Sequence, residues 1–135
     1  MSYEFLEHTA DVKFRAEGSG LKEMFISAAE ALNETIRGDI TILEQSEKSF
    51  NVEGKDVESL LYNFLEEFLF LLDSEDFLVS NIKSLEIEGN SLKCVVGGDK
   101  ADNYKFTNDV KAVTYSEMKI FKEKGKSVCE VVLDV

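Results

Sequence analysis

Apolar residues recur at every third or fourth position in two stretches of the first half of the chain. The first stretch begins at Leu21 and ends near Gly38, and its apolar members are Leu21, Met24, Phe25, Ala28, Leu32 and Ile36. The second follows Asp56, a residue suited to capping a helix, and contains Leu60, Leu61, Phe64, Leu65, Phe68, Leu69 and Leu72. Both spacings predict amphipathic helices. The wide apolar face of the second helix indicates contact with more than one element.

Elsewhere apolar and polar residues alternate with the period of two that is typical of strands. The strand candidates are Val12 to Ala16, Ile40 to Leu43, Lys48 to Val52, and two hairpins, 82–88 with 91–96 and 110–121 with 127–135. The stretch from Gly97 to Asp109 lacks clear periodicity, and we interpret it as an extended loop suited to binding a partner. Helices segregated from a mainly antiparallel sheet array predict an α+β fold. We expect a single domain over residues 1–135, with mainly antiparallel β-sheets and two principal amphipathic helices.

The composition narrows the classes of partner. A chain of 135 residues with 44% hydrophobic content fits one compact domain. Its 27 acidic and 15 basic residues give a formal net charge of −12, which repels phosphate backbones and attracts cations and basic protein surfaces. We therefore expect no direct, tight binding of nucleic acid, and a metal ion or a basic partner protein as the more natural ligand.

Two further features bear on the compartment. Acidic residues interrupt the N-terminal region, so it does not resemble a signal peptide, and the longest apolar stretch, 60–72, is shorter than the roughly 20 residues that a membrane span needs. We expect no membrane association and a cytoplasmic protein. Cys94 and Cys129 each lie in an apolar, strand-like run, which predicts buried free thiols rather than a zinc or redox site.

Acidic groups near the two ends of the chain are candidates for a metal site. Asp134 stands beside the α-carboxylate of Val135, while Glu7 and Asp11 precede the first predicted strand. Oxygen donors of this kind suit Ca²⁺ or Mg²⁺ rather than zinc or copper. On spacing alone, a hydrated acidic terminus remains the simpler interpretation. If the carboxylate does bind metal, a tag fused after Val135 should weaken that binding.

Two basic residues are further candidates. His8 is the only histidine, and since no Ser or Cys nucleophile accompanies it in a recognised arrangement, a hydrogen-bonded turn residue is favoured over a general base. Lys111 lies in an apolar strand, where its ammonium group could orient the carboxylates or contact a phosphate. An ordinary exposed lysine is the alternative. The sequence contains neither of the glycine-rich nucleotide-binding motifs and implies no organic cofactor.

Three separated motifs carry a resemblance to a known family. They are the opening Tyr3 to Asp11, which ends in His-Thr-Ala-Asp, the Val-Lys-Ala-Val-Thr-Tyr segment at 110–115, and the closing Glu-Val-Val-Leu-Asp-Val at 130–135. Together with the two helices, they resemble the archease family over nearly the whole chain. The resemblance implies a small cytosolic α+β protein that is not itself a catalyst and that assists the RtcB-type tRNA-splicing RNA ligase. That ligase joins a 2′,3′-cyclic-phosphate or 3′-phosphate RNA end to a 5′-hydroxyl through a guanylylated histidine formed with GTP. Archease promotes this guanylylation and restores multiple turnover.

The resemblance also assigns roles to residues. It implies a site for Ca²⁺, or for Mg²⁺ or another divalent cation, at Asp11, Asp134 and Val135, with Lys111 and His8 as orienting residues. One departure is that the family commonly has Gly-Glu and then a histidine-containing loop, whereas this chain has Gly98-Asp99 and no second histidine. A broader chaperone, or a modulator of other enzymes that process nucleic acids, is the alternative function. A small metal-dependent hydrolase is disfavoured because the chain offers no convincing nucleophile.

Overall fold

The computed structural model describes residues 1–7, 11–106 and 110–135. Its strands are β1 (Ser2–Leu6), β2 (Val12–Gly18), β3 (Ser46–Glu53), β4 (Phe77–Glu88), β5 (Ser91–Lys100), β6 (Ala112–Glu123) and β7 (Lys126–Asp134). Its α-helices are α1 (Leu21–Arg37) and α2 (Val57–Glu75), and a short 3₁₀ turn spans Ala101–Asn103.

The strands form two antiparallel sheets, and the helices contact both. One sheet has four strands in the order β1-β2-β7-β6, and the other has three in the order β3-β5-β4. Helix α1 packs on β2, β1 and β7 of the first sheet and on β4 of the second, while α2 packs on β6 and on all three strands of the second. The α+β fold class and the two amphipathic helices are confirmed.

The apolar pattern of the sequence explains this packing. Phe14 and Ala16 are fully buried, whereas the alternating residues of β2 are partly exposed. In α2 the ring of Phe64 lies 5.7 Å from that of Phe25 in α1 and 6.2 Å from that of Phe50 in β3, measured between centroids. The prediction that α2 contacts several elements is therefore confirmed.

The boundaries of α2 also agree with the sequence. The carboxylate of Asp56 accepts a hydrogen bond from the Ser59 N–H at 2.8 Å, and the Ser59 hydroxyl accepts one from the Asp56 N–H at 3.1 Å. This reciprocal capping satisfies two main-chain groups that a helix end leaves unpaired. The hydrogen bond from Ser59 lowers the pKa of the Asp56 carboxyl.

The prediction of an extended loop from Gly97 to Asp109 is wrong for the first residues of that range. Residues 97–100 are the end of β5, and the 3₁₀ turn follows them. A Cβ atom on Gly98 would lie 2.2 Å from the Leu78 carbonyl oxygen, so the glycine allows close approach of β4 rather than a loop. Residues 107–109 lie outside the described part of the chain.

The buried carboxylate of Asp99 holds the chain beyond β5. It accepts hydrogen bonds from the Tyr104 hydroxyl at 2.7 Å, from the Lys100 N–H at 2.8 Å and from the Asn103 side chain at 3.1 Å. These bonds, with that of Tyr104 the strongest influence, lower the pKa of Asp99. The polar residues that suggested a loop thus form an ordered network.

Two other strand predictions need correction. Residues 40–43 form no strand, because Ile42 turns into the core and the Leu43 N–H donates to the Tyr104 hydroxyl at 2.9 Å. Conversely, β1 was not predicted as a strand. It is an edge strand, and its residue Phe5 is 44% exposed. Because apolar residues of β1 are not confined to a buried face, its sequence shows no clear alternation.

The predicted burial of the two cysteines agrees with the structure. Cys94 and Cys129 are free thiols, each at most 1% exposed. Among the described residues, no helix is both long and apolar enough to cross a membrane.

Candidate functional site

Three distant segments of the chain meet at one end of the four-stranded sheet. Val12 pairs with Leu133 between β2 and β7, and Ala112 pairs with Asp134 between β6 and β7. The Lys111 N–H donates a hydrogen bond to the Asp134 carbonyl at 2.7 Å. Asp11, one residue before Val12, therefore lies at the same sheet end as Asp134, Val135 and Lys111.

Apolar neighbours hold the main chain at this end. Leu133 is fully buried and Val110 is 6% exposed, while Val12 and Val135 are half-buried against the core. The side chains of Lys111 and Asp134 are exposed, and Asp11 is half-buried. The alternation of anchored apolar and polar residues fixes where the charged groups emerge.

The donor set has the chemistry of a hard-cation site. Asp11 and Asp134 offer carboxylate oxygens and Val135 offers main-chain oxygens, which are the ligand types that Ca²⁺ accepts. In residues 1–7, 11–106 and 110–135, however, no three His, Cys, Asp or Glu side chains gather as a metal-binding group. A cation at this end would therefore depend on main-chain oxygens and water to complete its coordination.

Two other candidates precede the first strand of the predicted site, Glu7 and His8. His8 lies outside the described residues, so its predicted turn role stays a prediction. Glu7 is exposed and follows β1, whose last residue, Leu6, pairs with Lys13 of β2.

A charged cluster on the adjacent part of the sheet was not predicted. The Lys13 ammonium group lies 3.7 Å from a carboxylate oxygen of Glu130 and 3.9 Å from one of Glu117, and its side chain is only 17% exposed. Once β2 and β7 are known to pair, strand alternation places Lys13 and Glu130 on one face. Glu117 could not have been placed in this way, because it reaches the face through an irregularity in β6.

That irregularity begins at the end of the second motif, 110–115, and continues beyond it. The register of β6 shifts between Thr114 and Lys119, and Glu117 has a positive φ of 64°. The Thr114 hydroxyl donates to the Val132 carbonyl at 3.0 Å and so holds the start of this β-bulge. Bulges of this kind redirect side chains away from the regular strand pattern.

The bulge directs Tyr115 toward the beginning of α2. Its ring contacts that of Tyr62 edge to face, with 5.5 Å between centroids, and its hydroxyl is 3.5 Å from a carboxylate oxygen of Asp56. Partial desolvation, followed by the negative charges of Asp56 and Glu58, raises the pKa of Tyr115, which is 48% exposed. The segment that contains Lys111 is thereby connected to the second helix.

Comparison with known proteins agrees with this architecture. A model of the archease protein family matches residues 3–135. The archease of Methanosarcina mazei is 34% identical over 140 residues, which cover 98% of this chain and 95% of that protein. The archease of Pyrococcus abyssi is 38% identical, with 98% of each chain covered, and the archease-like protein of Drosophila melanogaster is 37% identical, with 100% and 91% covered.

Solved structures share the fold. Protein 1598 of Methanobacterium thermoautotrophicum superimposes with a TM-score of 0.79 at 32% identity, and 98% of each chain is covered. An archease of Thermotoga maritima, described as a possible chaperone, superimposes with a TM-score of 0.70. The aligned region covers 96% of this chain and 94% of the Thermotoga maritima chain. Its 22% identity supports the likeness in fold alone.

Proposed function

Because this chain belongs to the archease family, we propose that it activates an RtcB-type RNA ligase of the same cell. In this role it promotes guanylylation of the ligase histidine by GTP and allows multiple turnover, without catalysing ligation itself. The site of action is the cytoplasm, where it serves tRNA splicing.

The observation that supports this function is the convergence of the three family motifs at one sheet end. Antiparallel pairing brings Asp11 and Lys111 beside Asp134, although they come from the beginning, the last quarter and the end of the sequence. A sheet end that carries charged side chains on an anchored main chain suits contact with another protein. We therefore assign the activating surface to this end of the sheet.

Asp11, Asp134 and Val135 would hold a divalent cation, with Ca²⁺ as the first choice because all the donors are oxygens. A bound cation would supply positive charge that offsets the carboxylates and can attract phosphate oxygens. The exposed Lys111 side chain adds a second positive group at the same end. Its ammonium group is a compact donor that can orient a carboxylate or a phosphate.

The charge of the molecule favours a protein partner over RNA. The net charge of −12 repels a phosphate backbone, whereas it attracts a basic enzyme surface. The proposed partner is therefore the ligase itself, and RNA would reach the complex through the ligase.

A guanylylation assay tests the proposal. The ligase is mixed with GTP labelled at the α-phosphate, with wild-type protein, with Lys111→Ala or with Lys22→Ala, an exposed lysine of α1 that serves as the control. We expect the wild type and Lys22→Ala to raise the guanylylated fraction equally, and Lys111→Ala to leave it near the level of ligase alone. Equal stimulation by both variants would contradict the proposed role of Lys111 in guanylylation of the ligase.

The same preparation separates the activator from a broader chaperone. A general chaperone would suppress heat-induced aggregation of unrelated proteins, such as citrate synthase, whereas a ligase activator would not. Suppression of aggregation together with unchanged guanylylation would favour the chaperone and contradict the activator.

A further inference from the structure

A surface groove lies between the edge strand β3 and the exposed face of α2. It consists of two adjoining cavities of about 320 Å³ and about 520 Å³ that share Glu53 and Asn63 in their linings. Phe70 lines the first cavity and Tyr115 lines the second, and these aromatic side chains are 50% and 48% exposed. We call this surface the α2–β3 groove.

The strand beside the groove has an edge that no second described strand pairs with, although the carbonyl of its last residue, Glu53, accepts a hydrogen bond from the Asn63 side chain at 2.8 Å. Among the described strands, β3 pairs with β5 alone, and its eight residues keep one register from Ser46 to Glu53. The opposite edge strand of this sheet, β4, has two register shifts. A regular edge strand presents main-chain N–H and C=O groups that an extended peptide can pair with, whereas bulges discourage such pairing.

The groove is acidic. Among the described residues, its lining contains the carboxylates of Glu53, Glu66 and Glu67 and one cation, Lys55. Glu66 accepts a hydrogen bond from the Tyr62 hydroxyl at 3.1 Å, which fixes its position beside the groove. Partial burial, followed by the charge of Glu75, raises the pKa of Glu67. A cation placed beside Glu67 would favour its ionised form and oppose this shift.

We propose that the α2–β3 groove binds an extended basic segment of a partner protein. Lysine or arginine side chains of that segment lie against Glu53, Glu66 and Glu67, and an apolar side chain packs on Phe70. The occupant follows from charge complementarity, since a net acidic groove on a molecule of charge −12 excludes nucleic acid and acidic peptides. The groove is lined by β3, α2, the segment between them and Tyr115 of β6, and its linings contain none of Asp11, Lys111, Asp134 and Val135. The inference therefore does not depend on the proposed cation site.

Fluorescence anisotropy of short labelled peptides tests the inference. The probe is the basic, alternating peptide Gly-Arg-Leu-Lys-Ile-Arg-Gly. One comparison peptide replaces its basic residues with glutamate, and another replaces its leucine and isoleucine with glycine. We expect saturable binding of the probe that weakens as salt is added, weaker binding of the glycine peptide, and no binding of the acidic peptide.

Two matched pairs of variants locate the site. Phe70→Ser is compared with Phe5→Ser, because both residues are exposed aromatics and only Phe70 lines the groove. The double variant Glu53→Lys and Glu66→Lys is compared with Glu86→Lys and Glu88→Lys on β4, which changes the net charge by the same amount.

We expect Phe70→Ser and the groove charge variant each to weaken binding of the probe about tenfold, as loss of an interface anchor does, while the two controls bind as the wild type does. Equal weakening by both charge variants would show that net charge alone attracts the peptide and would overturn the inference. Unchanged binding by Phe70→Ser would overturn it as well. So would the lack of saturable binding at peptide concentrations up to about 1 mM. Tighter binding of single-stranded RNA than of the peptide would assign the groove to a different class of partner.

Discussion

At the scale of single residues, Asp11 and Asp134 lie at the same sheet end because β2 and β7 are antiparallel neighbours and Val12 pairs with Leu133. We predict that Asp134→Asn weakens Ca²⁺ binding at least about tenfold, since an amide removes the negative charge while keeping one oxygen donor. Isothermal titration calorimetry measures the affinity. The control is Asp39→Asn, an exposed residue beyond the end of α1.

A calcium affinity of Asp134→Asn equal to that of the wild-type protein would contradict the proposed cation site. Weakening by Asp39→Asn as well would indicate that only the overall charge of the protein attracts the ion.

The two cysteines allow a prediction about reactivity and pH. Burial raises the pKa of the Cys94 and Cys129 thiols to about 12. At pH 8 the thiolate fraction of each is then about 10⁻⁴, so we expect negligible reaction with iodoacetamide in the native state and rapid reaction in urea. Mass spectrometry of the alkylated protein checks this, and rapid native alkylation of either thiol would contradict it.

The same shift makes folding stability depend on pH. The unfolded thiols lose their protons near pH 9, whereas the folded ones retain them up to about pH 12. The contribution of the protonated, buried thiols to folding stability is complete below pH 9 and is lost as the pH rises toward 12. Urea unfolding at pH 8 and pH 10 should therefore give a lower midpoint at pH 10, and Cys129→Ala should reduce the difference.

At the scale of elements, α2 supplies a buried and an exposed phenylalanine for comparison. Phe64 is fully buried among Phe25, Phe50 and Phe68, whereas Phe70 is 50% exposed on the same helix. We expect Phe64→Ala to lower the free energy of unfolding by about 3–5 kcal/mol, and Phe70→Ala to change it by less than about 0.5 kcal/mol. Chemical denaturation measures both, and similar losses would contradict the packing of α2.

A second comparison concerns the glycines of β5 and α1. Gly98→Ala brings a methyl group against the Leu78 carbonyl and should cost about 1–3 kcal/mol of stability. Gly20, the N-cap of α1, has open space around its Cβ position and an extended φ of −157°. Its alanine variant should lose only about 0.5 kcal/mol, as expected for a weaker cap. Equal unfolding midpoints in urea would contradict the close approach of β4 at Gly98.

The sequence predicted the two helices and the two hairpins well, because each depends on a local pattern. The apolar stripe of α2 and its Asp56 cap indicate the start of that helix within a few residues. The sequence predicts a loop at the end of β5 because Gly97 and Gly98 are typical of turns. Only the position of β4 shows that a side chain would not fit there.

At the scale of the whole molecule, the site depends on strand pairing that the sequence pattern leaves open. The motif residues were identified through family resemblance, and spacing alone favoured a hydrated terminus. The order β1-β2-β7-β6 is what brings the ends of β2, β6 and β7 together. Nonlocal pairing of this kind cannot be deduced from the periodicity of single strands. The bulge that carries Glu117 and Tyr115 lay beyond prediction for the same reason.

The net charge of −12 also acts on the whole molecule. It opposes direct RNA binding and favours basic protein surfaces, which is consistent with both proposals.

The most direct test of the proposed function is multiple-turnover ligation of RNA by the ligase from the same organism. The reaction contains GTP and substoichiometric amounts of wild-type protein, Asp11→Asn or the control Asp39→Asn. We predict that the wild type and the control allow each ligase molecule to form many products, while Asp11→Asn leaves it near a single turnover. Failure of the folded wild-type protein to stimulate an active ligase would contradict the activator function, and full stimulation by Asp11→Asn would contradict the role of the carboxylate site.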